Sequence, residues 1–600
     1  MFDKSLEEAS KLIQSVLSDL SLSQPDRIDW NPIPFSGEWG FGTAACFKVA
    51  AAQARLRQGV KVPELASEVA RQVVETAGDF EGFSHAEAEN GYINLYLEPS
   101  AYARIVIDDV LQAGDTFGKG KPKVDRVMVE YAQPNTHHSF HIGHARNAIL
   151  GEALARIVEF AGFDTVRASY PGDVGLGVMR CVWAYDKFYR GQEPKGVHAR
   201  GQWLAEIYTE ATRMLTPSPD ETDAERAQRE AYEAEVRQAY KAWDQGDPEI
   251  RALWEQTRAW SLEELEAILK ILDIEMDVFF FESEVDEPAK EIVNQLIELG
   301  IAEDERSDGG PVVVKIDELL DLNKETYRTA VLLRNDGTTL YLAKDLALAK
   351  QKFEDYEIDR SIYVVDARQS LHLRQAFKIL ELWGFPQAEK CYHLAYGVVS
   401  LPEGAMSSRA GNVILFMDVV EEAKARVRRL IAEKNPDLDE TEAKEVARQV
   451  GVGALVYAML SVDNLRDTVF DWDRALDFEG QAAPYIQYAH VRAMSILRRS
   501  DGLPGPLSPS HELEPAEIAL LDRISRLPDE VQRAAADYKP LVIASYAYDL
   551  ARDFSDFYQR CPVLSADGNV QDFRLRLTEA ARQTLSNSLR LLAVEAPTVM

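Results

Sequence analysis

Apolar runs and helical stripes alternate along the middle of the chain. The run 127–132, Val-Met-Val-Glu-Tyr-Ala, is apolar enough to predict a buried strand. After it, Ile149, Ala153 and Ile157 recur four positions apart and predict a helix with one apolar face. Another strand candidate, 92–97, lies within the first 115 residues. We therefore expect an α/β protein.

Four histidines lie between the predicted strand and the predicted helix, namely His137, His138, His141 and His144. Ligands bind at the carboxyl ends of parallel strands, and the N-terminus of the following helix offers free N–H groups and a positive dipole to phosphate. Positions 141 and 144 are three apart, so both imidazoles can lie on one side of the first turn and donate hydrogen bonds to a polyphosphate. Gly143 lets a flat ring approach the backbone.

Two other interpretations of these histidines stay open at this point. Histidines at such spacing can bind zinc, but zinc needs a third or fourth ligand, and the chain's four cysteines form no Cys-x-x-Cys pair. We therefore expect no structural zinc and reduced thiols. The histidines can also be ordinary polar residues of a loop.

The histidines belong to a longer series of motifs that occur in a fixed order. His141-Ile-Gly-His144 is similar to the HIGH signature of class I aminoacyl-tRNA synthetases, and the preceding Glu130-Tyr-x-x-Pro-Asn135 makes the run resemble the arginyl-tRNA synthetases. The run 405–412, Ala-Met-Ser-Ser-Arg-Ala-Gly-Asn, is similar to the KMSKS-type loop that holds the phosphates of ATP. Further matches to the same family lie at 338–345, 364–369 and 478–492.

The resemblance implies a fold and a domain order. It implies a class I Rossmann-like parallel-sheet catalytic core with insertions, an N-terminal α/β additional domain that contacts the tRNA elbow, and an all-α C-terminal anticodon-binding domain. The predicted boundaries are 1–115 for the additional domain, 124–420 for the catalytic domain with a helical insertion at about 190–300, 421–475 for a connecting helical segment, and 476–600 for the anticodon-binding domain. Phe554 and Phe557 are predicted to be core residues of the last domain.

The resemblance also implies the residues of the active site, and none of them is expected to bind a metal. The catalytic residues are His141, Gly143 and His144. The ATP-binding loop comprises Met406, Ser407, Ser408 and Arg409. The arginine pocket comprises Glu130, Asn135, His144, Tyr341, Asp345 and Gln369. The candidate tRNA contacts are Tyr485, Gln487, Tyr488 and Arg492.

The chemistry of these residues suits arginine. A guanidinium is a planar fork of donors, so a pocket that selects it needs carboxylates in the right geometry, which Asp345 and Glu130 can supply. Lysine would leave part of that buried acceptor set unpaired. The expected function is activation of L-arginine by ATP to arginyl-adenylate and transfer to the 3′ adenosine of tRNA(Arg). The family generally needs bound tRNA for activation, and Mg²⁺ is expected with the nucleotide.

Three positions depart from the family and leave a second function class open. Position 138, commonly lysine in the family, is histidine, and alanines occupy 405 and 410, where lysine is usual around the ATP-binding loop. The phosphate clamp therefore lacks cations, and Lys344 or Arg409 are the candidates to compensate. The alternative function is that of a synthetase paralogue that binds tRNA or arginine without aminoacylating.

The net charge of −33 argues at first against a nucleic-acid partner. Binding of tRNA needs only local basic surface, however, and 424–429 and 498–499 are the candidate segments. No stretch approaches the roughly 18 apolar residues of a membrane span, and the N-terminus lacks a basic region followed by an apolar run. We expect a cytoplasmic monomer without membrane contact, whose partners are tRNA(Arg), L-arginine and ATP.

Overall fold

The N-terminal elements form a four-stranded antiparallel sheet covered by helices. A computed structural model of the protein describes residues 2–55, 61–400, 415–436 and 438–600. The elements are α1 (Asp3–Asp19), β1 (Asn31–Ile33), β2 (Trp39–Thr43), α2 (Ala45–Ala54), α3 (Val62–Ala77), β3 (His85–Glu89), β4 (Tyr92–Leu97) and α4 (Pro99–Ala113). The strand order is β1-β2-β4-β3. The predicted strand 92–97 is confirmed as β4, whose Ile93 and Leu95 are fully buried because alternate side chains point to the helices.

A five-stranded parallel sheet forms the centre of the chain. It is built from β5 (Arg126–Glu130), β6 (Asp164–Ser169), β7 (Val278–Phe279), β11 (Arg360–Asp366) and β12 (Cys391–Tyr396), and α5 (Ile142–Phe160) follows β5. The order is β12-β11-β5-β6-β7, with every pair parallel. The chain thus first adds β6 and β7 on one side of β5, and later adds β11 and β12 on the other side. This reversal makes the carboxyl end of β5 a topological switch point, the place where such sheets bind ligands.

Helices and a small antiparallel sheet are inserted between the strands of this parallel sheet. The long helices α7 (Val197–Met214), α8 (Asp223–Asp244) and α9 (Pro248–Ile271) lie within the predicted insertion and pack with α6 (Leu176–Ala184) around a core rich in tryptophan. After β7 come α10 (Glu282–Glu298), β8 (Glu303–Asp304), β9 (Val312–Lys315), α11 (Ile316–Leu319), β10 (Thr329–Leu333), α12 (Tyr341–Tyr356) and, after β11, α13 (Ser370–Trp383). Residues of α10, α12 and α13 form one core with Met128 of β5 and with β6.

The C-terminal part of the chain is mainly helical. Its elements are β13 (Val399–Ser400), α14 (Phe416–Lys434), α15 (Glu440–Leu460), β14 (Thr468–Val469), α16 (Trp472–Ala475), α17 (Ala483–Arg498), α18 (Pro515–Ser525), α19 (Leu527–Asp537), α20 (Leu541–Arg560) and α21 (Gly568–Leu591). Phe554 and Phe557 are fully buried, which confirms that they are core residues.

Contacts divide the chain into two units. One comprises Met1–Phe117, Arg492–Leu527 and Asp549–Leu585, and the other Gly118–Val491, Pro528–Tyr548 and Ser586–Met600. This division follows spatial packing, and the predicted domain boundaries along the sequence stay predictions. In the described residues, no helix is long and apolar enough to cross a membrane.

Candidate active site

Asn147 on α5 makes hydrogen bonds that hold the connection from β5 to α5 at the switch point. Its Oδ1 accepts a hydrogen bond from the backbone N–H of Ala132 at 2.5 Å, and its Nδ2 donates to the carbonyl of Val364 at 2.7 Å. One side chain of the helix therefore ties together the ends of β5 and β11. Ala132 and His137 both have positive φ, at 54° and 66°. Such backbone is costly for residues other than glycine and recurs at functional sites.

His141 and His144 form the N-terminal cap of α5. His141 is the N-cap residue, and its Nδ1 accepts hydrogen bonds from the backbone N–H groups of Gly143 and His144, at 3.1 and 3.3 Å. The Nδ1 of His144 accepts in return from the N–H of His141 at 3.4 Å, and the two rings stack with centroids 3.7 Å apart. Because each Nδ1 is an acceptor, the proton of each neutral ring lies on Nε2. The cap therefore presents two Nε2–H donors.

The same two imidazoles are uncharged at neutral pH. Burial lowers the pKa of His141, and it lowers the pKa of His144 well below its usual range. As neutral rings they can stabilise developing negative charge as hydrogen-bond donors. Gly143 makes the arrangement possible, because a β-carbon there would lie only 2.9 Å from Cε1 of His141.

The other two histidines of the cluster do not add charge. His137 is buried between the hydroxyls of Thr136 and Thr257, each 2.9 Å from a ring nitrogen, and burial lowers its pKa to about 3. The ring of His138 lies 4.0 Å from that of Tyr208, and burial lowers the pKa of His138 to about 4. His138 is therefore neutral at the position where the family commonly has lysine.

Polar residues follow four adjacent strands at their carboxyl ends. They are Glu130 at the end of β5, Asp173 after β6, Glu282 after β7, and Gln369 after β11. Three connections meet at Gly172, next to Asp173, where a β-carbon would lie 2.6 Å from Oδ1 of Asn135 and 2.8 Å from Oε1 of Glu282. A larger residue at this position would displace the side chains of Asn135 and Glu282.

An acidic cluster surrounds Tyr170. Burial raises the pKa of its hydroxyl well above the usual range, and the negative charges of Asp345, Glu282, Glu130 and Asp173 raise it further. The hydroxyl is buried and has no hydrogen-bond partner among the described residues. On α12, Tyr341 lies one helical turn before Asp345, on the same side, and is 60% exposed. Asn135 and Gln369 are exposed too. The predicted arginine-pocket residues are thus gathered at one end of the sheet.

Each acid of this cluster has a basic partner of its own. Glu130 pairs with Lys352, which is fully buried and lies 4.0 Å from the ring centroid of Tyr363. Glu282 and Asp173 pair with basic side chains as well. The fourth acid, Asp345, accepts a hydrogen bond from His372 at 2.5 Å. Lys352 therefore already neutralises Glu130, one of the two carboxylates expected from the sequence to supply the geometry for a guanidinium.

Lys344 does not replace the missing cations of the phosphate clamp. It is buried, and its Nζ lies 3.4 Å from Glu282 and 3.7 Å from Asp286. Our expectation that Lys344 is available to phosphate is therefore wrong. The ATP-binding loop residues Met406, Ser407, Ser408 and Arg409, like 405 and 410, lie outside the described residues.

The candidate tRNA contacts on α17 differ in accessibility. Tyr488 is 41% exposed, Tyr485 is half-buried against Tyr548, and Arg492 lies over the ring of Tyr558 at 4.7 Å. Gln487 is fully buried, and its amide donates to the carbonyls of Gln449 and Glu595 at 3.3 and 2.8 Å. A side chain in that place packs the interior and cannot reach a nucleic acid, so the structure speaks against Gln487 as a tRNA contact.

The candidate basic segment 424–429 is largely balanced by acids. Lys424 lies 2.8 Å from Glu421, and Arg426 lies 2.7 Å from Glu422.

The described residues contain no group of three or more His, Cys, Asp or Glu side chains arranged to hold a metal ion.

Four residues of the site were assigned no role from the sequence. They are Glu282, Lys352, His372 and Asn147, whose side chain joins the ends of β5 and β11. A signal for Glu282 exists, because it follows the apolar run 278–281 where a strand passes into a helix, as Glu130 follows its own strand. No local signal identifies Lys352, which pairs with Glu130 across 222 positions of sequence.

Comparisons with known proteins agree with this geometry. Residues 106–472 match the family described as tRNA synthetases class I (R), catalytic domain, and residues 486–600 match the DALR anticodon binding domain. An arginine–tRNA ligase of Bdellovibrio bacteriovorus is 36% identical over 86% of this chain and 87% of its own, and one of Clostridioides difficile is 31% identical over 98% of both. The solved arginyl-tRNA synthetase of Thermus thermophilus matches all of both chains with 26% identity and a TM-score of 0.77.

The parallel sheet, the histidine-capped helix and the match over 106–472 define a class I aminoacyl-tRNA synthetase. Within this class, the two named arginine–tRNA ligases are at least 31% identical to this chain over most of its length. The protein belongs to the arginine–tRNA ligase family. The predicted fold class, a Rossmann-like core with an all-α C-terminal domain, is confirmed.

Proposed function

We propose that the protein activates L-arginine with ATP and transfers the arginyl group to the 3′ adenosine of tRNA(Arg). The observation that carries this proposal is a cluster of carboxylates around Tyr170, together with two neutral Nε2–H donors that follow β5 at the switch point of the sheet. The first feature suits a guanidinium, and the second suits a phosphate whose charge grows during reaction. The names of the relatives support the same reaction.

Arginine is proposed to bind with its guanidinium towards Asp345 and Glu282, because Lys344 holds Glu282 only at 3.4 Å and is shared with Asp286. Two carboxylates in different places can meet a planar fork of donors, and Tyr341 offers a ring face to it. Asn135 and Gln369 are uncharged and exposed, and Glu130 is held by Lys352. This group is suited to the α-amino and carboxylate end of the substrate. Glu282 thereby joins the six residues expected from sequence.

The activation step needs no covalent enzyme intermediate. The arginine carboxylate attacks the α-phosphorus of ATP, the bond to the β,γ-phosphates breaks, and diphosphate leaves. His141 and His144 donate to the phosphate in the transition state, aided by the N-terminal dipole of α5. The loop 406–409 is proposed to hold the leaving diphosphate. Mg²⁺ is proposed to come with the nucleotide, bound by its phosphates, as this cation usually is.

The proposal also covers the binding partner, the oligomeric state and the cellular compartment. A domain whose family is described as anticodon binding supports tRNA(Arg) as partner, with Tyr485, Tyr488 and Arg492 as the contacts to test. We further propose that tRNA must be bound before arginine is activated, and that the enzyme works as a monomer in the cytoplasm. The domain boundaries at 1–115, 124–420, 421–475 and 476–600 are part of the same proposal.

The test is arginine-dependent exchange of labelled diphosphate into ATP, with and without tRNA. For Asp345→Asn we expect KM for arginine to rise about 10- to 100-fold, since a hydrogen bond to a charged group contributes about 1.5–3 kcal/mol. Asp355→Asn changes an exposed aspartate at the other end of α12 and is the matched control. If no exchange occurs in either condition while tRNA still binds, the protein is instead a paralogue that does not aminoacylate.

A further inference from the structure

His372 contacts the pocket acid that lacks a permanent cation. It lies in the first turn of α13, and its Nε2 is 2.5 Å from Oδ2 of Asp345 on α12. Both side chains keep access to solvent, with 30% of His372 and 24% of Asp345 exposed. No other side chain among the described residues hydrogen-bonds Asp345.

The choice of imidazole here differs from the rest of the acidic cluster. Glu130 and Glu282 are balanced by lysines, which keep their charge while they hold a carboxylate. An imidazole can donate from Nε2 both as the cation and as the neutral tautomer that carries its proton on Nε2. His372 can therefore orient Asp345 without permanently cancelling its charge. Burial acts to lower the pKa of His372, but the hydrogen bond and charge of Asp345 outweigh it and raise that pKa.

We propose that His372 is a positioning residue for the amino-acid substrate: it donates to Oδ2 of Asp345 and so fixes the carboxylate with Oδ1 left for the guanidinium. This inference rests on the proposed role of Asp345 in binding arginine. Without the donor the carboxylate is free to rotate about its last torsion, and only some of its orientations offer an oxygen to a planar fork. The predicted cost falls on binding of arginine and not on the chemical step.

The opposite role would leave a different signature. If His372 merely occupies the place of the substrate cation in the free protein, then removing it should improve arginine binding. A positioning residue and a placeholder thus predict changes of KM in opposite directions, which makes the sign of the change decisive.

The experiment compares His372→Phe and His372→Gln in diphosphate exchange with saturating tRNA. We expect H372F to raise KM for arginine about tenfold, the size of one lost hydrogen bond to a charged group, with kcat and KM for ATP within about twofold. We expect H372Q to stay within about threefold of the parent, because its amide can still donate. His85→Phe removes a surface histidine 3.5 Å from Glu38 and is the matched control, expected to change nothing. If H372F proves unstable on melting, H372A carries the same expectation.

Combination with Asp345→Asn separates this inference from the proposed function. If His372 acts through Asp345, H372F should have little further effect on KM in the D345N background. Three outcomes would overturn the inference and leave the proposed pocket standing. The first is a full effect of H372F in the D345N background, and the second is a lowered KM for arginine in H372F. The third is an unchanged KM in H372F while D345N is impaired. An unchanged KM in D345N itself would overturn both.

Discussion

Replacing Lys352 by methionine should destabilise the protein in a way that depends on pH. Lys352 is fully buried and Glu130 retains 4% of its side-chain exposure, so the pair is shielded from water. Burial raises the pKa of Glu130, and the charge of Lys352 opposes that rise. Methionine preserves most of the buried stem and removes only the charge. Glu130 must then be either a buried, unpaired anion or a protonated acid.

Protonation limits how large the loss can be. Holding a carboxyl protonated at pH 7 against an ordinary pKa of about 4.3 costs about 3.7 kcal/mol, and at pH 5.5 about 1.6 kcal/mol. Removing one partner of a buried ion pair usually costs about 3–5 kcal/mol, which agrees with the value at pH 7. In K352M the folded-state pKa of Glu130 exceeds its unfolded value, so stability falls as pH rises from about 4.3 towards the raised pKa. The loss relative to the parent should be about twice as large at pH 7 as at pH 5.5.

Apparent melting temperatures at the two pH values provide the measurement, because a chain of two units has no single free energy of unfolding. K352M should melt further below the parent at pH 7 than at pH 5.5. The double variant K352M/E130Q, which has no carboxylate to protonate, should lose this pH dependence. Equal losses of K352M at both pH values, or a double variant as pH-sensitive as K352M, would refute the reasoning.

Two further predictions concern the histidines around α5. Gly143→Ala places a β-carbon 2.9 Å from Cε1 of His141 and should turn the ring out of its cap; we expect kcat of diphosphate exchange to fall up to about 10²-fold with KM for arginine little changed, and a normal kcat would show that the ring position does not matter. Burial holds the pKa of His137 near 3, so its contribution to stability is present above pH 6.5 and is lost as pH falls towards 3. Between pH 7 and pH 5 that loss is about 2 kcal/mol. The melting temperature of His137→Asn should therefore fall less than that of the parent over this interval, and parallel pH curves would contradict the assignment.

Local pattern predicted the centre of the site well. The apolar strand, the helical stripe and the glycine beside two histidines all act over a few residues, and they are realised as β5, α5 and the cap at His141. The burial of Phe554 and Phe557 followed equally from amphipathic spacing. These features depend on neighbours along the chain, so a single sequence contains the information for them.

Pairings across the fold could not be predicted in this way. Lys352 and Gln487 look like polar positions on helices, and such positions usually face solvent. Lys352 is buried because Glu130 lies opposite it on β5, and Gln487 is buried where carbonyls of α15 and of the C-terminal segment accept hydrogen bonds from its amide nitrogen. Each polar group can enter the interior only where a partner meets it. Strand order and helix packing bring that partner close, and neither can be deduced from the pattern of neighbouring residues in the sequence.

The partners of the acids also bear on how the proposed arginine pocket would distinguish arginine from lysine. Three of the four acids around Tyr170 are matched by Lys352, Lys344 and Arg258, and the fourth is matched by an imidazole. An imidazole can release its proton when a substrate cation arrives, so the pocket has room for one positive charge. Lysine would satisfy that charge as well as arginine does. On the proposed arrangement the preference comes from geometry, since a planar fork of donors can be shared between two carboxylates such as Asp345 and Glu282, whereas a single ammonium would leave one acceptor unpaired.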